Sequence, residues 1–282
     1  LLVLGAVALS SSALAPRAGA SSASCAQHAC LSDLTGSRTA LVERRYTTAL
    51  QRTSADRGMQ PFELSDQDYS AFSGVGVILC SAGGHTHSST AFLVGGFDLA
   101  VTVAHTFAKD ASGAAPECVY NSMDSLGQVR ERIPIAYVKS QWEAEADAAS
   151  QPAKDFAVVR LSQSSRYAQR TMPLGRFSGS PGPVLMVGYR ADLDVDTLKR
   201  KTRGAVYARA DEGRTSAGFM HDMDAQGMAA GAPVIDERSG VIIGIHTPLV
   251  SRRNTMITMN DWLEATLRAE MQLAQQAGAK VN

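Results

Sequence analysis

The pattern of apolar and polar residues changes character at about residue 70. From there on, short runs of β-branched and aliphatic residues are separated by Gly, Ser, Pro and Asp, which is typical of short strands joined by turns. Many such strands at regular spacing favour an all-β barrel or sandwich. The runs predict strands at 74–80, 90–95, 99–104, 116–121, 132–139, 155–161, 183–189, 202–209, 215–220, 232–236, 241–246 and 254–258.

A helical pattern closes the chain. Residues 259–278 are predicted to form a C-terminal helix, which Asn260 or Asp261 can cap and Gly278 can end. Four residues at helical spacing share one face of this helix: Leu263, Leu267, Met271 and Ala274.

The start of the chain has a different pattern. Residues 1–14 (LLVLGAVALSSSAL) are an uncharged apolar run, and small-residue cleavage sites follow at 13–15 and 18–20. This is typical of a secretory signal peptide over residues 1–20, and the run is too short to span a membrane. A buried strand or helix is the weaker alternative. The basic n-region and the initiating Met are missing, so we expect the signal peptide to be truncated.

Residues 21–69 are interpreted as an N-terminal extension or pro-segment that carries no chemistry. Within it, residues 38–52 have a helix-forming composition, and their apolar residues lie on roughly one side: Leu41, Val42, Tyr46 and Leu50. Removal of the signal peptide would leave a secreted or periplasmic protein without a membrane anchor.

If the protein is exported, its four cysteines are expected to form two disulfides, because an even number of cysteines in an oxidising compartment favours pairing. Three pairings are possible, and we expect Cys25–Cys30 and Cys80–Cys118. A metal site at Cys25 and Cys30 is the weaker alternative, since no second ligand pair lies at metal-like spacing. The segment 85–87 (HTH) could place two imidazoles on one strand face, but we interpret it as a surface turn. We therefore expect no metal and no cofactor.

The composition excludes several kinds of partner. Twenty-seven basic residues balance 27 acidic ones, so nothing indicates binding to nucleic acid or to an anionic membrane. Hydrophobic residues make up 45% of the chain, enough to fill an ordinary globular core. We expect a monomer.

Three segments carry candidate catalytic chemistry. In residues 99–107 (LAVTVAHTF), an apolar strand runs directly into His105, whose imidazole can take and return a proton near neutral pH. In residues 154–161 (KDFAVVRL), Asp155 opens an apolar strand and could accept a hydrogen bond from that imidazole. The third segment is 221–234 (HDMDAQGMAAGAPV). Taken singly, the histidine and the aspartate are more often structural.

Together the segments resemble the trypsin/chymotrypsin-like serine proteases over about residues 70–275. The residues Val-Ala before His105 resemble the family's Thr-Ala-Ala-His block, and Asp155 with its strand resembles Asp-Ile-Ala-Leu. Residues 229–234 (AAGAPV) resemble Asp-Ser-Gly-Gly-Pro-Val. The resemblance implies two antiparallel six-stranded β-barrels followed by a C-terminal helix. The first barrel would span 70–168 and the second 169–258.

The resemblance also implies roles for residues of the site. His105 would be the general base and acid, Asp155 would orient it, and Ala230 stands where the family has its nucleophilic serine. The backbone N–H groups of Met228 and Ala230 would form the oxyanion hole, where the family has glycine at the first position. A bridge between Cys80 and Cys118 would tie down the loop that carries His105.

The pocket for the substrate side chain is implied to include Asp224, Ala225 and His246. The sequence Gly-Ile-His at 244–246 resembles the bacterial glutamyl endopeptidases, which use such a histidine to bind glutamate. Asp224 would instead favour a basic side chain in trypsin-like members, so the preferred side chain stays open.

Alanine at the nucleophile position removes the attacking hydroxyl, and no nearby Ser, Thr or Cys is in register to replace it. The sequence therefore predicts an inactive endopeptidase scaffold. The alternative is a natural pseudoprotease that binds a peptide or protein partner in the former active-site cleft, which in this family lies between the two barrels. An engineered substitution and a natural loss both explain Ala230, and Met228 favours natural loss because it is not needed to abolish activity.

Overall fold

A computed structural model gives the fold. The residues that it describes are 64–109, 113, 115–142, 152–190, 198–209, 218–221, 223, 230–247 and 255–279. The proposed signal peptide, the helix expected over 38–52 and the Cys25–Cys30 pair all lie outside the described residues.

The first six strands close into an antiparallel barrel. They are β1 (Val75–Ala82), β2 (His85–Leu93), β3 (Leu99–Thr102), β4 (Glu117–Met123), β5 (Val129–Ser140) and β6 (Ala157–Leu161). Their order around the barrel is β1-β2-β3-β6-β5-β4.

The next six strands form a second closed barrel. They are β7 (Gly182–Gly188), β8 (Arg200–Arg209), β9 (Gly218–His221), β10 (Pro233–Asp236), β11 (Val241–Thr247) and β12 (Thr255–Thr258). Their order is β10-β11-β12-β9-β8-β7. The predicted fold class, two six-stranded barrels with a C-terminal helix, is confirmed.

Each predicted strand overlaps an observed one, but β2 begins five residues earlier than expected. Gly83 and Gly84 have φ values of 56° and 79°, in the left-handed region that a tight hairpin turn requires. The turn pairs Ala82 with His85 and draws the polar stretch that follows into the ladder. The interpretation of residues 85–87 as a surface turn is therefore wrong, because they open β2.

Two helices flank the barrels. Helix α1 (Asp66–Ala71) begins with a capping box, in which the Ser65 side chain accepts from the Asp68 N–H and the Asp68 carboxylate accepts from the Ser65 N–H. Helix α2 (Asp261–Ala279) follows β12, and Asn260 caps it by accepting the Leu263 N–H at 2.9 Å.

About three turns of α2 pack on the barrels, as far as the buried Glu270 and the half-buried Met271. Leu263 and Leu267 are buried, whereas Ala274, on the same face, is exposed. The helix continues one residue past Gly278. None of the helices among the described residues is both long and apolar enough to cross a membrane.

The expected Cys80–Cys118 disulfide is present and joins β1 to β4. The two residues are direct partners in the strand register, so the bridge reinforces strands that are already hydrogen-bonded. It spans 38 residues of sequence that contain His105. However, it joins two strands and makes no direct link to the segment that carries His105.

Candidate active site

The pairing of β3 with β6 brings His105 and Asp155 together. In this antiparallel ladder Thr102 opposes Ala157, so the residues just beyond β3 lie beside those just before β6. A single 3-10 turn over Ala104–Phe107 follows β3 and projects the histidine from the barrel rim. The Ala104 N–H donates to the Asp155 carbonyl at 3.3 Å, which continues the ladder to the site.

Asp155 holds His105 by two hydrogen bonds. Its Oδ2 lies 2.8 Å from Nδ1 of the imidazole, and its Oδ1 accepts the His105 backbone N–H at 2.9 Å. The aspartate side chain is fully buried, whereas 30% of the imidazole is exposed. Because a carboxylate can only accept, Nδ1 is the donor in this bond, and in a neutral imidazole Nε2 is then the acceptor nitrogen.

A threonine of the second barrel reaches the same carboxylate. The Oγ1 of Thr247, at the end of β11, donates to Asp155 Oδ2 at 3.5 Å, and Thr247 is fully buried. The indole of Trp142 lies on the first-barrel side, with its ring centroid 6.3 Å from that of His105. The Asp155 carboxylate is thus bonded by groups from both barrels.

Ala230 lies in a turn that is anchored to both barrels. Its carbonyl accepts the Thr90 N–H from β2 at 2.9 Å, and the next N–H, of Gly231, donates to the His246 carbonyl at 2.8 Å. The His246 N–H in turn donates to the Ala232 carbonyl at 2.8 Å. Ala230 itself is 8% exposed.

Glycine is required immediately after Ala230. Gly231 has φ +90°, and a Cβ built on it would lie 2.2 Å from the Thr90 carbonyl oxygen and 2.6 Å from Oγ1 of Thr102. The close approach of two backbones at this turn excludes any larger residue. The Ala-Gly pair is therefore a packed corner between the barrels.

His246 is buried beneath this turn and contacts a second histidine. Its Nδ1 lies 3.1 Å from Nε2 of His221, and each residue is 2% exposed. Burial, with the neighbouring imidazole, lowers the pKa of His246 to about 3, although a backbone bond to Thr255 opposes the shift. Burial lowers the pKa of His221 to about 4. Both rings are neutral at pH 7.

The structure describes only part of the predicted site. It brings His105 and Asp155 into contact, and it bonds the His246 backbone to Gly231 and Ala232, the two residues that follow Ala230. The remaining predicted site residues, Asp224, Ala225 and Met228, lie outside the described residues. Within the described part of the chain, no group of three or more His, Cys, Asp or Glu side chains is arranged to hold a metal ion.

Sequence reasoning missed three residues that the fold brings to the site: Thr90, Thr247 and His221. Thr247 directly follows His246, a predicted pocket residue at the end of a predicted strand, and this position was the available signal. His221 opens the segment 221–234 that contains Ala230, but nothing in the sequence indicated its contact with His246, and Thr90 carried no comparable signal.

Solved structures share this fold. A Glu endopeptidase in complex with MPD matches with a TM-score of 0.54 and 14% identity, over 75% of this chain and 96% of that one. A thermostable serine protease from an extremophilic microorganism matches with a TM-score of 0.52 and 14% identity, over 66% and 90%. Kallikrein-related peptidase 10, in complex with Zn²⁺, matches with a TM-score of 0.51 and 11% identity, over 71% and 98%. At such identities the likeness shows the fold alone.

The sequence itself identifies the family. No curated protein matches the chain. Residues 89–245, more than half of the chain, match the family model described as a trypsin-like peptidase domain. That range runs from β2 to β11 and so includes His105, Asp155 and Ala230. The chain belongs to the trypsin-like peptidase family.

Proposed function

We propose that this protein is an exported endopeptidase scaffold that keeps the His–Asp pair of a serine protease and, with alanine at the nucleophile position, does not hydrolyse peptide bonds. The observation that carries the proposal is the 2.8 Å contact between His105 Nδ1 and the buried Asp155. A surface histidine has no need of a buried carboxylate that binds both its ring and its backbone.

In this proposal His105 is the general base and acid. Asp155 fixes the Nδ1–H tautomer, which leaves Nε2 free to take a proton from a hydroxyl. The Thr247 hydroxyl bonds to the same carboxylate from the second barrel and limits its rotation. In a catalytic triad, these two residues are the ones that activate the nucleophile.

The third member of the triad, the nucleophile, is missing. A methyl group at position 230 cannot attack a carbonyl carbon, so no acyl-enzyme can form. The turn that carries it is still anchored to Thr90 and to His246. A serine placed there would therefore enter a turn with ordered backbone contacts.

Export is supported by two features of the chain. Residues 1–14 have the apolar pattern of a signal peptide, and β1 and β4 are joined by the Cys80–Cys118 disulfide. Disulfides of this kind persist in oxidising compartments.

We assign the ligand class as peptide without a preferred side chain. Of the residues implied to line the specificity pocket, the structure describes only His246. Its imidazole faces His221 and bonds to the backbone of Thr255. To bind a glutamate side chain it would have to give up one of these contacts.

The test is Ala230→Ser, treated with a fluorophosphonate probe. Labelling is expected for this variant and not for the unmodified protein, because only a serine activated by the His105–Asp155 pair attacks phosphorus quickly. Ala229→Ser is the matched control, since it adds the same hydroxyl one residue away. A folded Ala230→Ser protein that stays unlabelled, or equal labelling of both variants, would contradict the proposal.

The second candidate function is peptide binding without cleavage, favoured by a retained His–Asp pair in a chain that has alanine at position 230. The unmodified protein is expected to retain peptides from a casein digest without cutting them. A His105→Trp variant, which fills the space beside Trp142, should retain fewer. Peptides that are retained equally by both proteins would exclude the cleft as the binding surface.

A further inference from the structure

Residues 65–75, which we call the N-terminal strap, comprise helix α1 and the turn that leads into the first residue of β1, and they contact both barrels. The Ser70 hydroxyl donates to Gln169 in the segment between the barrels at 2.8 Å. The Gly74 carbonyl accepts from the Tyr120 hydroxyl of the first barrel at 3.1 Å. Asp68 forms a 2.7 Å ion pair with Lys201 of the second barrel.

A buried lysine holds the centre of the strap. Lys199 precedes β8 and is only 3% exposed, yet no carboxylate among the described residues pairs with it. Its Nζ donates to the Phe72 carbonyl at 2.6 Å. It also lies 5.8 Å from the ring centroids of Tyr69, on the strap, and of Tyr189, just after β7. An amine in this position depends on the strap for its hydrogen-bond acceptor.

Tyr189 connects this lysine to the active-site side of the barrels. The residue is fully buried, and its backbone N–H donates to the Thr90 hydroxyl at 3.2 Å. Its own hydroxyl lies 3.4 Å from the Val75 carbonyl, at the end of the strap. Displacement of the strap would remove contacts from both sides of this ring.

Thr90 completes the path. It is fully buried, and its N–H donates to the Ala230 carbonyl at 2.9 Å. Its own carbonyl accepts from the Thr102 hydroxyl at 2.7 Å and lies against Gly231. A continuous series of contacts therefore runs from Phe72 through Lys199, Tyr189 and Thr90 to the turn at Ala230.

We propose that Lys199 and Tyr189 are positioning residues that couple the docking of the N-terminal strap to the conformation of the turn at position 230. Docking of the strap supplies the acceptor that Lys199 needs, fixes Tyr189 and so holds Thr90 against the turn. Release of the strap, by a partner or by cleavage within it, would loosen the turn. This inference rests on the proposed function only for the identity of the turn.

The first experiment measures native-state hydrogen exchange in the unmodified protein, in Lys199→Met and in Lys201→Met. Lys199→Met removes the amine but keeps an apolar stem, and it should speed exchange of the Val75, Thr90 and Gly231 amides together, by about tenfold. Lys201→Met is the matched control. It removes one ion pair of the strap but leaves the bond from Lys199 to the Phe72 carbonyl in place, so the strap should stay docked and exchange at Thr90 and Gly231 should be unchanged.

Two results would overturn the coupling. In one, Lys199→Met speeds exchange at Val75 but leaves Thr90 and Gly231 as they were. In the other, both variants speed Thr90 equally, so that Lys199 and Tyr189 have no special part. These measurements use the protein with Ala230 and do not depend on catalysis.

The second experiment needs no variant and decides the matter if Lys199→Met fails to fold. Burial lowers the pKa of Lys199 to about 7. The ionisable groups facing it are the phenols of Tyr69 and Tyr189, and burial raises the pKa of Tyr189 well above 10. Other charged or titratable groups lie near the strap and Tyr189: Asp68, Lys201, Tyr120, Tyr167 and Asp124.

Release of the strap exposes the lysine, whose pKa then returns towards 10.5, so the released state binds more protons between these values. Docking must therefore strengthen as pH rises above about 7, by up to about tenfold per pH unit. Protection of Val75 and Thr90, corrected for intrinsic exchange, should rise together from pH 7 to 9. A rise at Val75 alone, or at neither amide, contradicts the proposal.

An activity readout separates this inference from the proposed function. In an Ala230→Ser background, Lys199→Met should lower the maximal rate of fluorophosphonate labelling about tenfold and leave the half-saturating concentration unchanged. Lys201→Met should change neither. If Ala230→Ser itself is not labelled, the proposed function fails while the exchange result still decides the coupling.

Discussion

Nε2 of His221 lies 3.1 Å from Nδ1 of His246 beneath the turn that carries Ala230. The His246 ring also bonds to the backbone of Thr255, and since its Nδ1 faces His221, its Nε2 is the donor to that carbonyl. His221 must then donate through Nε2. Its own Nδ1 is left as a buried acceptor with no partner among the described residues. This hydrogen-bond arrangement therefore requires both imidazole rings to be neutral.

This pair predicts loss of stability in mild acid. Burial lowers the pKa values of His221 and His246 to about 4 and 3, below the value of about 6.5 for an unfolded histidine. The unfolded state therefore binds more protons between pH 6.5 and 4, and the free energy of unfolding falls as pH falls through that window. Denaturant titrations at pH 7, 6, 5 and 4 measure it.

The control for this prediction is the double variant His221→Phe, His246→Leu, which removes both titrating rings. It should lose most of the pH dependence across that window. NMR titration of the imidazole carbons gives an independent check. A pKa above 6 for either ring would contradict the neutral pair.

Asp155→Asn tests the orientation of His105. An amide can present its N–H to Nδ1, which favours the wrong tautomer and leaves Nε2 protonated. In an Ala230→Ser background the labelling rate should fall on the order of 10⁴-fold, the loss known for this change in a serine-protease triad. Thr247→Val, which removes only the 3.5 Å contact, is the milder comparison and should cost far less. Equal losses in the two variants would count against the assigned role of Asp155.

Gly231→Ala tests the packed corner after Ala230. The residue has φ +90°, and the new methyl would lie 2.2 Å from the Thr90 carbonyl oxygen. We expect a loss of about 3 kcal/mol or more in the free energy of unfolding, from backbone strain and steric overlap together. Gly240→Ala is the matched control, since φ is +70° there but nothing lies within 4 Å. Its loss should be about 1 kcal/mol, and equal losses would refute the close approach.

Glu270→Gln tests how α2 is attached to the first barrel. The carboxylate is fully buried and accepts from Tyr137 at 2.6 Å and Arg160 at 2.8 Å, and it pairs with Lys139 at 2.7 Å. Burial raises the pKa of Glu270, but these donors outweigh it and lower the pKa to about 2. Its contribution to stability is therefore present above pH 4.5 and is lost as pH falls towards 2.

The substitution should destabilise the protein by about 2 kcal/mol at pH 7, because Arg160 and Lys139 lose a charged partner, although Arg160 keeps its 2.9 Å ion pair with Asp98. Thermal or denaturant unfolding measures the change. Glu264→Gln, on an exposed part of the same helix, is the control and should have little effect, since surface ion pairs contribute little. A Glu270→Gln protein as stable as the control would show that the network does not hold the helix.

Local pattern was enough for the strands, and it singled out His105 and Asp155, but the pairing of these two residues was predicted from the resemblance to the trypsin-like proteases. Apolar runs between turn residues predicted the twelve strands of the described residues, because a run of β-branched and aliphatic residues bounded by turn residues is visible in a short window. His105 and Asp155 were found because each stands at the end of an apolar strand. The hairpin at Gly83 and Gly84 was misplaced, since the polar residues of β2 become strand only through pairing with β1.

What the sequence determined by itself is therefore the all-β class and the positions of the strands along the chain; the loss of activity through alanine at position 230 stays a prediction. The tertiary structure alone decided four contacts. His221 lies against His246, and Thr247 bonds to Asp155. Glu270 accepts from three donors, and Lys199 donates to a carbonyl of the strap. Each of these contacts joins residues far apart in the chain. Their geometry follows from barrel closure and burial, which no short stretch of sequence encodes.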